Sequence, residues 1–242
     1  MRLVTRIFGE QNAPRDLVLL HGTGAKAEMW RRQIDQAVER GYRCIVPDLR
    51  GHGESEEPGE EADIKAHLVD VLETLESVDF KGPAVFGGHS LGAIIAIELA
   101  QLHPEMVSKV MAIAMPGRVP VLTVEAFRWF LGWPYKSLRQ TELHRSLGWR
   151  PRVLVETNRH ALEQIMLNFA SIDYCGNIPK VQCPVHFVVG RLDPVAPMVY
   201  AQKLHEAIPT STMRIIEWAG HNCMDSQPKA FDQWFWEKMD AD

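Results

Sequence analysis

The sequence predicts an α/β fold, a mostly parallel sheet with helices on both faces, on three observations. Short apolar runs of strand length alternate with segments of helical period along most of the chain. At one junction, Gly88-His89-Ser90-Leu91-Gly92, no residues are left over for a loop between strand and helix. His21, Asp48 and Ser90 all fall at the carboxyl ends of predicted strands, which a parallel sheet gathers at one rim.

Taken in order, Leu3 to Phe8 is a weakly patterned first strand, and Asp16 to His21 a clearer one that ends in Gly22-Thr23-Gly24. Glu28 to Arg40 reads as a helix with Trp30, Ile34, Ala37 and Val38 on its apolar face and Gly41 as its stop. Tyr42 to Pro47 is the next buried strand and leads into Asp48-Leu49-Arg50-Gly51-His52-Gly53-Glu54-Ser55. An acidic loop, Glu54 to Glu61, precedes a helix from Ile64 to Val78. Ala84 to Phe86 is a strand, Ala93 to Leu102 a helix and Lys109 to Ala114 a further strand. From Gly117 to Pro179 helical patterns continue without a convincing strand. Alternation resumes with Val185 to Gly190, a helix over Met198 to Ala207, a strand over Thr212 to Glu217 and a last helix over Pro228 to Lys238. The organisation expected is therefore a core in two parts, residues 1–116 and 181–242, interrupted by a helical lid at 117–180.

A chain of 242 residues with 46% hydrophobic content can bury the core of one such domain. The net charge of −5 argues against nucleic acid as a general partner. Cys44, Cys175, Cys183 and Cys223 lack metal-binding spacing and read as reduced, mostly buried thiols. No basic segment followed by an apolar one opens the chain, and no apolar run approaches 18 residues, so a soluble cytoplasmic protein without a membrane span is expected.

The chemistry centres on Ser90. A serine on so tight a turn needs small neighbours, because Cβ atoms at positions 88 and 92 would collide with strand or helix, and the helix N-terminus behind it offers free N–H groups. A serine hydroxyl is a poor nucleophile until a base takes its proton, and the base needs an acid that fixes its tautomer. His221, in Trp218-Ala219-Gly220-His221-Asn222, and Asp193, in Gly190-Arg191-Leu192-Asp193-Pro194, each follow a strand. Alone, the first reads as a polar loop histidine and the second as a turn or capping aspartate. His89 is discounted as the base because its turn points it away, and Asp225 as the acid because it lies only four residues after His221.

With His21-Gly22-Thr23-Gly24, Asp48 to Ser55, Gly88 to Gly92, Gly190 to Asp193 and Gly220-His221 in this order, the chain resembles the α/β-hydrolase superfamily over nearly its whole length. The likeness is to small esterases, perhydrolases and lactonases with a helical lid. It implies Ser90 as nucleophile, His221 as general base and acid, and Asp193 as its orienter. It also implies an oxyanion hole from the backbone N–H groups of Thr23 and Leu91, with His21, Arg50 and His52 as supports. Relatives with an aspartate nucleophile, the haloalkane dehalogenases and epoxide hydrolases, are excluded by Ser90; hydroxynitrile lyases, which keep the serine triad, are not.

The reaction expected is hydrolysis of a small, largely apolar ester through an acyl-enzyme, without metal or organic cofactor. Thioesterase, lactonase and perhydrolase activities, or a ligand receptor on the same fold, are the alternatives. Lid aromatics, Trp129, Phe130 and Trp133 among them, are expected to line an apolar pocket. Between Arg118 and Lys180 nine Lys/Arg face five Asp/Glu. A solvated helical surface accounts for that excess; otherwise Arg118, Arg150, Arg152 and Arg159 would meet an anionic substrate. The oligomeric state is not legible.

Overall fold

The structure, a computed structural model, describes residues 1–55 and 62–241. Seven strands form one sheet: β1 (Thr5–Phe8), β2 (Arg15–Leu20), β3 (Tyr42–Pro47), β4 (Ala84–His89), β5 (Val107–Ile113), β6 (Val185–Gly190) and β7 (Ser211–Ile216). Their order across the sheet is β1-β3-β2-β4-β5-β6-β7. All neighbours are parallel except β1, which pairs antiparallel with β3 on the edge. The predicted strands are therefore present. The antiparallel sense of the first was not legible because its four residues carry no clear alternation and are half-exposed to exposed.

Side-chain alternation splits the interior into two layers. Val18 and Leu20 of β2 point into one, with Phe86, Val110 and Phe187; Leu17 and Leu19 point into the other, with Cys44, Met111 and Val188. The first layer is covered by α2 (Ile64–Ser77) and α3 (Leu91–Leu102), the second by α1 (Arg31–Glu39) and the C-terminal helix Pro228–Met239. α3 is buried over all of its first seven residues, as their uniformly apolar sequence requires. Val38, expected on the apolar face of the first helix, is 38% exposed; it sits one residue round from Ala37 in the last turn, beyond the contact with the sheet. Trp30 is buried, in a 3-10 turn ahead of α1. Most of the acidic loop expected over Glu54 to Glu61 lies outside the described residues.

Four α-helices and a 3-10 turn (Leu143–Ser146) lie between β5 and β6: α4 (Val121–Leu131), α5 (Trp133–Gln140), α6 (Trp149–Glu156) and α7 (Arg159–Ser171). Val124, Leu131, Tyr135, Leu162, Ile165, Met166 and Phe169 from these helices join the α2–α3 layer. The segment thus packs continuously onto the sheet layer. The remaining helices are α8 (Met198–Ala207), the short α9 (Cys223–Ser226) and α10, the C-terminal helix already described. Among the described residues no helix is long and apolar enough to cross a membrane.

At the opposite end of β2 and β3 from the carboxyl rim, Arg43 grips Asp16 bidentately, at 2.8 and 2.7 Å, with both side chains buried. Asp16 also accepts from the Lys81 N–H, tying in the turn before β4. Removing one partner leaves the other charged and uncompensated. Asp16→Ala is expected to lower unfolding free energy by about 3–5 kcal/mol in urea titrations. The double replacement Asp16→Leu with Arg43→Met should recover most of that loss.

Candidate active site

Ser90 sits between β4 and α3 with φ +52° and ψ −110°, a left-handed conformation that a side-chain-bearing residue adopts only when its surroundings impose it. The imposition comes from close packing. A Cβ on Gly92 would overlap the Leu20 carbonyl of β2, and one on Gly88 would overlap the backbone of Gly92 and Ala93. The Ser90 N–H donates to the Ile113 carbonyl at 2.9 Å, and its own carbonyl accepts from Ala93 and Ile94, which starts the helix. The strained residue is therefore anchored on both sides.

His221 follows β7, and its Nδ1 lies 2.9 and 3.1 Å from the two carboxylate oxygens of Asp193, which follows β6. Asp193 is buried, and its Oδ1 also accepts from the Val195 and Ala196 N–H groups at 2.8 and 2.9 Å. With Nδ1–H donated to a carboxylate, the neutral ring has its lone pair on Nε2. Asp225, the rival acid, is half-exposed and accepts instead from Arg150 Nε at 2.6 Å.

The loop carrying Thr23 is held by two buried histidines. His21 Nδ1–H donates to the Gly22 carbonyl at 2.8 Å while its Nε2 accepts from the Leu49 N–H, also at 2.8 Å. His52 Nε2 accepts from the Gly24 N–H at 3.0 Å and its Nδ1–H donates to the Arg50 carbonyl at 2.9 Å. Asp48 anchors the same loop by accepting from Ala27, Glu54 and the Arg6 guanidinium. The 48–55 stretch is thus a brace for 21–27. Neither the Thr23 nor the Leu91 backbone N–H donates a hydrogen bond within the described residues. The Thr23 hydroxyl is likewise buried without a partner there, a feature that expecting only a backbone role at this position overlooked.

His89 holds a further role that the sequence reading missed. Its Nε2–H donates to the His221 carbonyl at 3.0 Å, and the two rings lie 4.8 Å apart. Burial, reinforced by the neighbouring His221, pushes its pKa well below the usual histidine range, so it stays neutral and remains this donor. Gly22 is small because a Cβ there would strike the His89 ring. One imidazole thereby spaces the Thr23 loop from the His221 loop. Only the bulk of a histidine between two glycines and a serine hinted at it.

Thr23, Ser90 and His221 line a common cavity of about 90 Å³, closed by Val119, Thr123, Val124, Phe127, Met166, Phe169 and Val195. Trp129, Phe130 and Trp133, expected in the pocket, are not among its lining residues. Trp129 and Trp133 are 72% and 78% exposed, and Phe130 packs against Phe127 and Tyr135. The helical phase explains the correction: Val124 and Phe127 occupy the inner face of α4, which turns Trp129 outward. Arg152 and Arg159 pair with Glu156 and Glu163 one turn along their own helices, and Arg118 is exposed.

The sequence profile of the alpha/beta hydrolase family matches residues 17–234. The chain belongs to that family. It is 25% identical to a non-heme chloroperoxidase of Streptomyces lividans, with 94% of each chain covered. It is 26% identical to a pimeloyl-[acyl-carrier protein] methyl ester esterase of Vibrio vulnificus, covering 89% of this chain and 91% of that protein. In three dimensions it is similar to the enol-lactonase of Burkholderia xenovorans, with a TM-score of 0.85, 22% identity and 99% and 96% of the two chains covered.

Burial lowers the pKa of His21 to about 4 and that of His52 to about 3, the latter also opposed by His21. In the unfolded chain both titrate near 6.5. Below that pH the unfolded state binds protons that the folded state refuses. Stability present above about pH 6.5 should therefore fall toward pH 4 by about 1 kcal/mol per pH unit for each such histidine. Urea titrations from pH 7 to 4.5 check this, and His52→Gln should make the slope shallower by close to one proton.

Proposed function

We propose that this protein is a serine hydrolase that cleaves a small, largely apolar carboxylic ester through an acyl-enzyme on Ser90. The observation that carries the reading is the shared cavity. A histidine held by a buried aspartate and a serine on a strained turn open onto the same small apolar space. Residues 117–180 act as the lid that walls this space.

In the first step His221 Nε2 takes the Ser90 hydroxyl proton as Oγ bonds to the ester carbonyl carbon. The carbonyl oxygen becomes an oxyanion facing the Thr23 and Leu91 N–H groups, donors fixed before the charge develops. The imidazolium formed is stabilised by the Asp193 carboxylate, which backbone N–H groups of Val195 and Ala196 also hold in place. Collapse of the intermediate breaks the bond to the alcohol oxygen, which leaves with the proton from His221. Water then repeats the sequence, releasing the acid and restoring Ser90. Thioesters and lactones fit the same steps, since only the leaving group changes.

The similarity to a chloroperoxidase favours one second reading, in which hydrogen peroxide replaces water and the product is a peracid.

Hydrolysis of p-nitrophenyl acetate tests the proposal. Ser90→Ala and Asp193→Asn should each lower kcat by about 10³-fold or more; unchanged activity in Ser90→Ala would sink it. Thr23→Val keeps the backbone donor but removes the unpartnered hydroxyl. It should lower kcat by about tenfold with KM little changed, if that hydroxyl assists the oxyanion. Peracid formation on adding peroxide would report the second reading.

A further inference from the structure

A cavity of about 90 Å³ is small beside sites that enclose drug-sized ligands, which run from roughly 300 Å³ upward. A second space of about 290 Å³ opens between α4 and α7. Leu131 and Met166 are its buried lining residues, and Arg128, Glu163, Gln164 and Leu167 line it toward solvent. Met166 lines both spaces and is the residue their linings share. Leu131 is nearly fully buried and Leu167 is 57% exposed, which gives the outer space an apolar inner end and a mouth open to solvent. The rim charges are already paired: Glu163 with Arg159 and Arg128 with Glu125. Both charges of the rim thus have a partner on their own helix, and the buried inner end offers a ligand only apolar side chains, Leu131 and Met166.

Methionine is unbranched and has three rotatable bonds, so it can leave one rotamer for another at little cost where an aromatic or branched side chain could not. We infer that Met166 is a gate, and that the α4–α7 space is a binding subsite for a linear aliphatic chain of the substrate too long for the inner cavity. This rests on the proposed ester hydrolysis at Ser90 and adds to it the class of ester: one with a straight chain of medium length. The chain belongs to either the acid or the alcohol side, and the two are separable by experiment.

The test compares kcat/KM for p-nitrophenyl octanoate and acetate, which varies the acid, and for octyl and ethyl acetate, which varies the alcohol. In the wild type one of the two long-to-short ratios should be at or above unity. Met166→Phe should lower that ratio about tenfold or more by filling the gate. Met166→Ala should raise it several-fold, and Met166→Leu should leave it near the wild-type value. Opposite shifts from one position do not arise from general loss of stability. Leu167→Trp, at the exposed mouth, should also lower the ratio.

A second readout needs no turnover. Octanoate should raise the melting temperature of Ser90→Ala protein more than butyrate does, and Leu167→Trp added to that background should remove the difference. Ratios that stay within twofold across the Met166 series overturn the gate, as does an octanoate effect equal to that of butyrate. Acetate hydrolysis that persists in Ser90→Ala overturns the parent reading instead, and leaves the melting-temperature comparison to decide the subsite.

Discussion

The architecture of the carboxyl rim depends on how closely α3 approaches β4 and β2. Gly88 and Gly92 let backbone meet backbone where any side chain would overlap Leu20 or Ala93. That contact forces Ser90 into a left-handed conformation costing on the order of 1–3 kcal/mol, which the surrounding hydrogen bonds to Ile113, Ala93 and Ile94 hold in place. The cost places the hydroxyl at the start of a helix, beside an N–H with no protein partner among the described residues. The strain and the proposed catalytic setting are products of the same packing.

Around the turn, the imidazoles divide the work by their environment. His21, His52 and His89 are buried, driven to the neutral form by loss of solvent, and each supplies one donor that braces a loop. His221 alone of these four has its ring against a carboxylate. Identical side chains thus take structural and proposed chemical parts according to what lies beside Nδ1. In the proposed reaction the His21 and His52 braces hold the loop that carries the Thr23 amide, so its dipole needs no reorientation when charge appears.

Much of this was legible in the sequence because its signals are local. The strand-to-helix junction at Ser90, the strands ending at His21 and Asp48, and the strands before Asp193 and His221 all follow from short apolar runs and glycines. A parallel sheet then brings distant residues together without further information. What was not legible depends on rotation and long-range packing. Trp129 and Phe127 are two residues apart on one helix, and only the docking of α4 decides that the phenylalanine faces the cavity. The clasp between His89 and the His221 carbonyl spans 132 positions and uses a backbone oxygen, so no pattern of residue types encodes it. The antiparallel edge strand is set by pairing with β3.

The proposed chemistry stands on Ser90 being a nucleophile activated by His221. A fluorophosphonate ester measures this directly, because it bonds covalently only to a serine that can give up its proton. Intact-mass analysis after brief exposure should find one adduct, mapped by peptide digestion to Ser90. The adduct should be absent from Ser90→Ala and form at least about 100-fold more slowly in His221→Ala. An unmodified wild-type protein, a modified residue other than Ser90, or equal labelling without His221 would rule out a Ser90 nucleophile activated by His221.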